Sequence, residues 1–182
     1  MLARWDRAVV EAFQHAHWGP ANWLFELLSD WWVRSVLIIG LGVVFDLWLR
    51  RRPVSGLVAT ASYFAAGGLD TGLKRVFERP RPSVVDHAVH PLVAVPDSYS
   101  MPSGHAATAF AAAVAVGLVQ PRLRWPLVAL AALVGVSRVW LGVHYLGDVV
   151  VGAALGTVVS IALCSLAARR PWAIIGARTS SP

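Results

Sequence analysis

Three short runs of polar residues interrupt an otherwise apolar chain: Lys74 with Arg81 and Pro82, then Pro102, Ser103, Gly104 and His105, then Ser137, Arg138, His144 and Asp148. Lys74, Arg81 and Arg138 together can neutralise a phosphate dianion, and the arginine forks match phosphoryl oxygens in pairs. Ser103 and Gly104 follow Pro102 at the expected start of a helix, where free backbone N–H groups and the positive dipole end also favour an anion. Binding a phosphate is not yet hydrolysing it, and the two histidines add that chemistry. A neutral imidazole held by a carboxylate can attack phosphorus, and Asp148 follows His144 by four residues. His105 can then protonate the leaving oxygen. Gly142 and Gly147 flank His144 and predict that one helix ends and another begins around it.

The elements that must position these groups are apolar helices. Of 182 residues, 57% are hydrophobic and 14% charged, and the mean hydropathy is +0.59. A soluble domain of this size carries charge on about a quarter of its residues, so an ordinary soluble enzyme is disfavoured. Composition also disfavours disorder and a coiled coil, and it disfavours a disulfide scaffold because Cys164 is the only cysteine and has no intrachain partner. The sequence predicts one all-α, polytopic transmembrane bundle over residues 1–182, with five spans at roughly 31–49, 54–77, 103–119, 125–142 and 146–168. Residues 1–30 mix charges with Trp5, Phe13, Trp18, Trp23 and Phe25 and predict an amphipathic interfacial helix followed by a short second one. Residues 171–182 read as a poorly ordered tail.

Most of the net charge of +6 lies at the ends of the apolar runs, which fits a membrane surface better than nucleic acid. The links at Arg50, Arg51 and Arg52, at Arg122 and Arg124, and the tail with Arg169, Arg170 and Arg178 hold no acid. The positive-inside rule places them in the cytoplasm. With five spans, the N-terminal segment and all three polar runs then face the extracytoplasmic side of an integral membrane protein.

In pattern, the three runs resemble the motifs of the type 2 phosphatidic acid phosphatases, whose fold is shared with vanadium haloperoxidases and glucose-6-phosphatase. Lys74, six intervening residues, Arg81 and Pro82 resemble the first motif; Pro102 to His105 the second; Ser137, Arg138, His144 and Asp148 the third. The resemblance implies a metal-independent phosphatase with His144 as nucleophile, Asp148 orienting it and His105 as general acid. It also implies that Lys74, Arg81, Ser103, Gly104 and Arg138 hold the phosphoryl group, with no cofactor. Membrane members are described with six spans, one more than is counted here.

Blander roles fit the remaining polar residues. Arg79 also precedes a proline but lacks the motif spacing, and is expected to face headgroups. Asp70, one turn before Lys74, reads as its ion-pair partner, and Asp46 as that of Arg50. His15, His17, His87 and His90 have no metal-ligand spacing, and no metal site is expected. Gly152, Gly156 and Ser160 form a small-residue stripe suited to packing inside the bundle or to a homodimer. The substrate expected from an outward-facing site is a polyprenyl pyrophosphate such as the undecaprenyl carrier, with phosphatidic acid and phosphatidylglycerophosphate as alternatives. Phosphotransfer to an acceptor lipid and non-catalytic lipid-phosphate binding are the competing classes. Both histidines and Asp148 together favour catalysis over binding.

Overall fold

The computed structural model describes residues 4–16, 18–49 and 54–168, and every regular element among them is helical. The expectations for Arg50 to Arg52, His17 and the tail from Arg169 onward lie outside the described residues. Helix α1 (Arg4–His15) is followed by α2 (Gly19–Ser29), and α3 (Trp31–Ser35) runs through a π-helical turn, Val36–Gly40, into α4 (Leu41–Trp48). Then come α5 (Val54–Phe77), the single turn α6 (Pro82–Val85), α7 (Gly104–Val119), α8 (Arg124–Trp140) and α9 (Leu146–Ala168).

The bundle is built around α7, which packs against α5, α8 and α9. Its buried positions are mostly alanines (Ala106, Ala107, Ala109, Ala111, Ala112, Ala113 and Ala115), so neighbouring backbones come close. At Gly156 an added Cβ would lie 2.1 Å from the Ala107 carbonyl oxygen, and at Gly152 2.5 Å from that of Ser103. Ser160 donates to the Ala111 carbonyl at 2.6 Å. The small-residue stripe on α9 is therefore spent on α7 of the same chain. Leu57, Phe64, Val158, Ile161 and Leu166 are instead exposed on the outside of the bundle. Small and polar residues inside with large apolar ones outside suit a hydrocarbon solvent.

By length and hydropathy, Pro121–Trp140 and Leu146–Ala168 can each cross a membrane, and Gly19–Ser29 with Trp32–Trp48 forms a further apolar pair bent by 71°. Helix α5 has the length, at 24 residues, but its Asp70, Lys74 and Arg75 and its Ser, Thr and Gly positions dilute its hydropathy. Helix α7 has the apolarity but only 16 residues. The helix boundaries follow the five apolar runs of the sequence, while the number that span is not fixed by these criteria.

Polar groups collect at the two ends of the bundle. At one, Asp46 near the end of α4 accepts from the Ser55 N–H at 2.8 Å, from the Ser55 hydroxyl at 2.6 Å, and from the Gln120 amide. Asp46 is thus satisfied by the start of α5 and the end of α7. At the other end lie the last turns of α5 and α8 and the first turns of α7 and α9, which bring the three sequence runs together.

Candidate active site

Each polar run sits where a helix begins or ends, because only there does backbone leave the apolar interior. Trp140 closes α8, and Gly142 adopts φ +73°, a conformation that suits glycine. The reversal carries His144 under the end of α8, where its N–H donates to the Arg138 carbonyl at 3.2 Å. Helix α9 then starts at Leu146, so His144 lies in the turn and Asp148 in the first helical turn, as the flanking glycines predicted.

His144 is buried, at 2% exposure. Its Nδ1 is 3.4 Å from Asp148 Oδ2 and 3.4 Å from the Ser100 hydroxyl, and its Nε2 is 3.3 Å from Arg81 NH1. A guanidinium can only donate, so Nε2 is the accepting nitrogen and Nδ1 carries the proton toward Asp148. Burial, with Arg81 and Arg138 nearby, pushes the imidazole down to about 4 against the opposing pull of Asp148. The ring is neutral at ordinary pH.

Asp148 is fully buried and satisfied on both oxygens. Oδ2 accepts from the Tyr145 N–H at 2.9 Å and from the Ser100 hydroxyl. Oδ1 accepts from Arg79 at 2.6 Å. Arg79 thus turns inward instead of facing headgroups, because a buried carboxylate left with a bare oxygen would cost more than drawing a cation in.

Arg81 ties two loops to the site. Its Nε donates to the Ser98 carbonyl at 2.8 Å, NH1 to the Val143 carbonyl at 2.9 Å, and NH2 to the Ser98 hydroxyl at 3.1 Å. Lys74 donates to the Pro102 carbonyl and lies 3.4 Å from Asp70 Oδ1. Asp70 in turn packs on the start of α7, where a Cβ at Gly104 would come within 2.7 Å of its Oδ2. Ser103 caps α7 in extended conformation, with its N–H on the Asp148 carbonyl at 3.0 Å.

His105 donates from Nε2 to the Ser29 carbonyl at 3.0 Å, so in the neutral ring Nδ1 is the bare nitrogen, and it is there that a further proton is taken up and passed on. The same carbonyl accepts from Arg34 at 2.9 Å. Arg34 and Arg138 are both near His105 and act on one another electrostatically. Buried Arg34 Nε, Arg138 Nε and Ser103 Oγ have no hydrogen-bond partner among the described residues. Two of these unpartnered donors, on Arg34 and Arg138, belong to cations beside His105, and donors left over in this way suit the oxygens of a phosphoryl group.

The structure thus gathers Lys74, Arg81, Ser103, Gly104, His105, Arg138, His144 and Asp148 at one end of the bundle. Sequence reasoning passed over Arg34, Ser100 and Asp6. Arg34 carried a signal, a cation inside an apolar run; Ser100 carried none.

Residues 55–172 match the PAP2 superfamily. The chain belongs to that family. It is 39% identical over 130 residues to decaprenylphosphoryl-5-phosphoribose phosphatase of Mycobacterium tuberculosis, covering 67% of each chain. It is 33% identical over 140 residues to undecaprenyl-diphosphatase of Sulfolobus acidocaldarius, covering 76% of this chain and 67% of that one. In fold it is similar to the transmembrane PAP2-type phosphatidylglycerolphosphate phosphatase of Bacillus subtilis, with a TM-score of 0.69, 24% identity, and coverage of 95% of this chain and 87% of that one. As a PAP2 phosphatase with apolar helices, the protein is a hydrolase of the membrane.

Proposed function

We propose that the protein removes phosphate from a polyprenyl-linked phosphate or pyrophosphate at the extracytoplasmic face, through a phosphohistidine on His144 Nε2. The observation that carries this reading is the posture of His144: neutral, protonated on Nδ1 toward Asp148, with its lone pair turned to the Arg81 guanidinium. For reaction, Arg81 NH1 moves from Nε2 to a phosphoryl oxygen, which frees the lone pair and neutralises the charge of the incoming group. Nε2 then forms a bond to phosphorus as the bond to the leaving oxygen breaks, and His105, entering as the imidazolium, delivers its Nδ1 proton to that oxygen. Water, giving a proton back to His105, attacks the phosphohistidine and releases phosphate with His144 restored. Lys74, Arg34, Arg138, Ser103 and the N–H groups opening α7 stabilise the charge that grows on the equatorial oxygens.

Relatives acting on decaprenyl- and undecaprenyl-linked substrates support a polyprenyl carrier, and a phosphatidylglycerophosphatase among the relatives makes a diacyl lipid the alternative. The test is phosphate release by the purified protein in detergent from undecaprenyl pyrophosphate, a polyprenyl-linked sugar phosphate, phosphatidic acid and phosphatidylglycerophosphate, with acid-labile label sought on the protein. Preference for either polyprenyl substrate is expected. Preference for a diacyl lipid would move the substrate class, product dependent on an acceptor lipid would mean phosphotransfer, and no release from any lipid would leave a binder. The facing of the site is tested by cysteines at Leu123→Cys and Ile175→Cys, which are expected to resist an impermeant reagent in intact cells; labelling of either refutes it.

A further inference from the structure

The phosphatase reading leaves one buried ion cluster without a task. Helix α5 ends at Phe77, and Glu78 takes φ +45°, a conformation costly for a residue with a side chain. That turn sends Arg79 back under the bundle. Its guanidinium lies 4.2 Å from the centre of the Tyr145 ring, donates through NH1 to Asp148 Oδ1 at 2.6 Å, and through NH2 to Asp6 Oδ2 at 2.6 Å. The other oxygen of Asp6 accepts the Gly147 N–H at 2.9 Å. Asp6 belongs to α1, and at 3% exposure it is one of the two residues that helix buries. Gly147 makes the approach feasible, because a Cβ there would lie 2.9 Å from Asp6 Oδ2 and 3.3 Å from Arg79 NH1.

We propose that Arg79 and Asp6 are positioning residues for the phosphoryl transfer, which hold Asp148 in register with His144 and make the N-terminal helix part of the active centre. Geometry gives the first half: with Oδ1 clamped by Arg79, the carboxylate can turn only so as to keep Oδ2 on Ser100, Tyr145 and His144. Charge gives the second half. Arg79 alone would cancel Asp148, and a cancelled carboxylate supports poorly the positive charge that develops on His144 during transfer. Asp6 takes up that excess, so the trio Asp6, Arg79 and Asp148 keeps a net charge of −1 beside the imidazole. The ion pair to Asp6 thus serves the histidine, although the two residues lie on opposite sides of Arg79.

The inference rests on His144 as the nucleophile, and its test has one arm that needs no substrate. The charged and titratable groups facing His144 are Arg81 from the loop after α5, His105 from α7, Arg138 from α8 and Asp148 from α9. In NMR titrations of the purified protein with labelled histidine, Arg79→Gln is expected to raise the midpoint of His144 and Asp6→Asn is expected not to raise it. In the kinetic arm, Arg79→Gln should lower kcat about 10- to 100-fold with KM within about twofold, as loss of an outer partner that orients a reacting group does. Asp6→Asn should lower kcat less, the double variant should be no worse than Arg79→Gln, and Arg79→Lys should recover part of the loss. A raised KM at unchanged kcat would overturn the proposal by making Arg79 a substrate contact. So would additive losses in the double variant, or a His144 midpoint unmoved in the charge-removing variants Arg79→Gln and Arg79→Met, whichever folds. Wild-type protein inactive on every lipid would sink the function proposed above while leaving the titration result to stand.

Discussion

Arg81 NH1 and His144 Nε2 face each other at 3.3 Å, a donor against the lone pair of the proposed nucleophile. The contact fixes the tautomer before substrate arrives, and it places a cation where the proposed phosphoryl transfer needs one. Replacing Arg81 by Lys keeps a charge but loses the fork that also binds Ser98 and Val143. Arg81→Lys is expected to lose about 10²-fold or more in kcat/KM, since removing a preorganised donor of this kind costs about 2.7–4 kcal/mol. Activity within threefold of wild type would show that the fork is dispensable.

The depressed pKa of His144 sets a pH dependence. Its folded value near 4 lies below the ordinary imidazole value of 6.5, so the unfolded chain binds the proton more readily. The stabilisation is fully present above about pH 6.5 and is lost as pH falls through the window down to about 4. The His144 nitrogen signals should keep their neutral pattern from pH 8 to pH 5. A midpoint near 6.5 would contradict the burial argument.

The two histidines should fail differently. His144→Ala should abolish both turnover and any acid-labile phosphoenzyme. His105→Ala should cost about 10² to 10⁴ in rate, and less with a nitrophenolate leaving group that needs no proton. If His105→Ala removed the phosphoenzyme while His144→Ala stayed active, the assigned roles would be exchanged.

Cations surround the expected phosphoryl position, so turnover should survive EDTA. Vanadate should inhibit, because its trigonal-bipyramidal form resembles the transition state that these donors favour. Activity lost to EDTA and restored by magnesium would point to a metal-assisted reaction instead.

Gly156 tests the packing independently of the chemistry. Its missing Cβ would lie 2.1 Å from the Ala107 carbonyl and 2.8 Å from the Ala111 nitrogen, both backbone atoms that cannot swing aside. Gly156→Val should cost more than about 4 kcal/mol, beyond the usual range for a single change, and should be seen as loss of folded protein in detergent. Leu57→Val, on the exposed outer face of α5, should leave the melting temperature within a few degrees.

How much of this was legible in the sequence depends on range. The helices were readable because apolar runs and their punctuation are local, and the turn holding His144 was readable from Gly142 and Gly147. The site was readable where its residues fall at fixed spacings, as from Lys74 to Arg81 and from His144 to Asp148. Contacts between distant residues of no special type were not. Nothing local marks Ser100 as the partner of Asp148, Asp6 as the end of a chain of ion pairs, or Gln120, 74 residues away, as a donor to Asp46. Arg34 was visible as a cation inside an apolar run.

The short central helix also sets the depth of the chemistry. Sixteen residues rise about 24 Å at about 1.5 Å each, less than the about 30 Å of hydrocarbon in a typical bilayer. Because α7 starts at the site with its Ser103 carbonyl packed on Gly152, well inside α9, the proposed phosphoryl position is recessed below the start of α9, and a lipid is expected to lower its phosphate into the protein to react. Bilayer thickness then becomes a variable of catalysis. Turnover in vesicles of graded acyl length should decline as the hydrocarbon thickens, since each added ångström of mismatch is paid while the substrate descends.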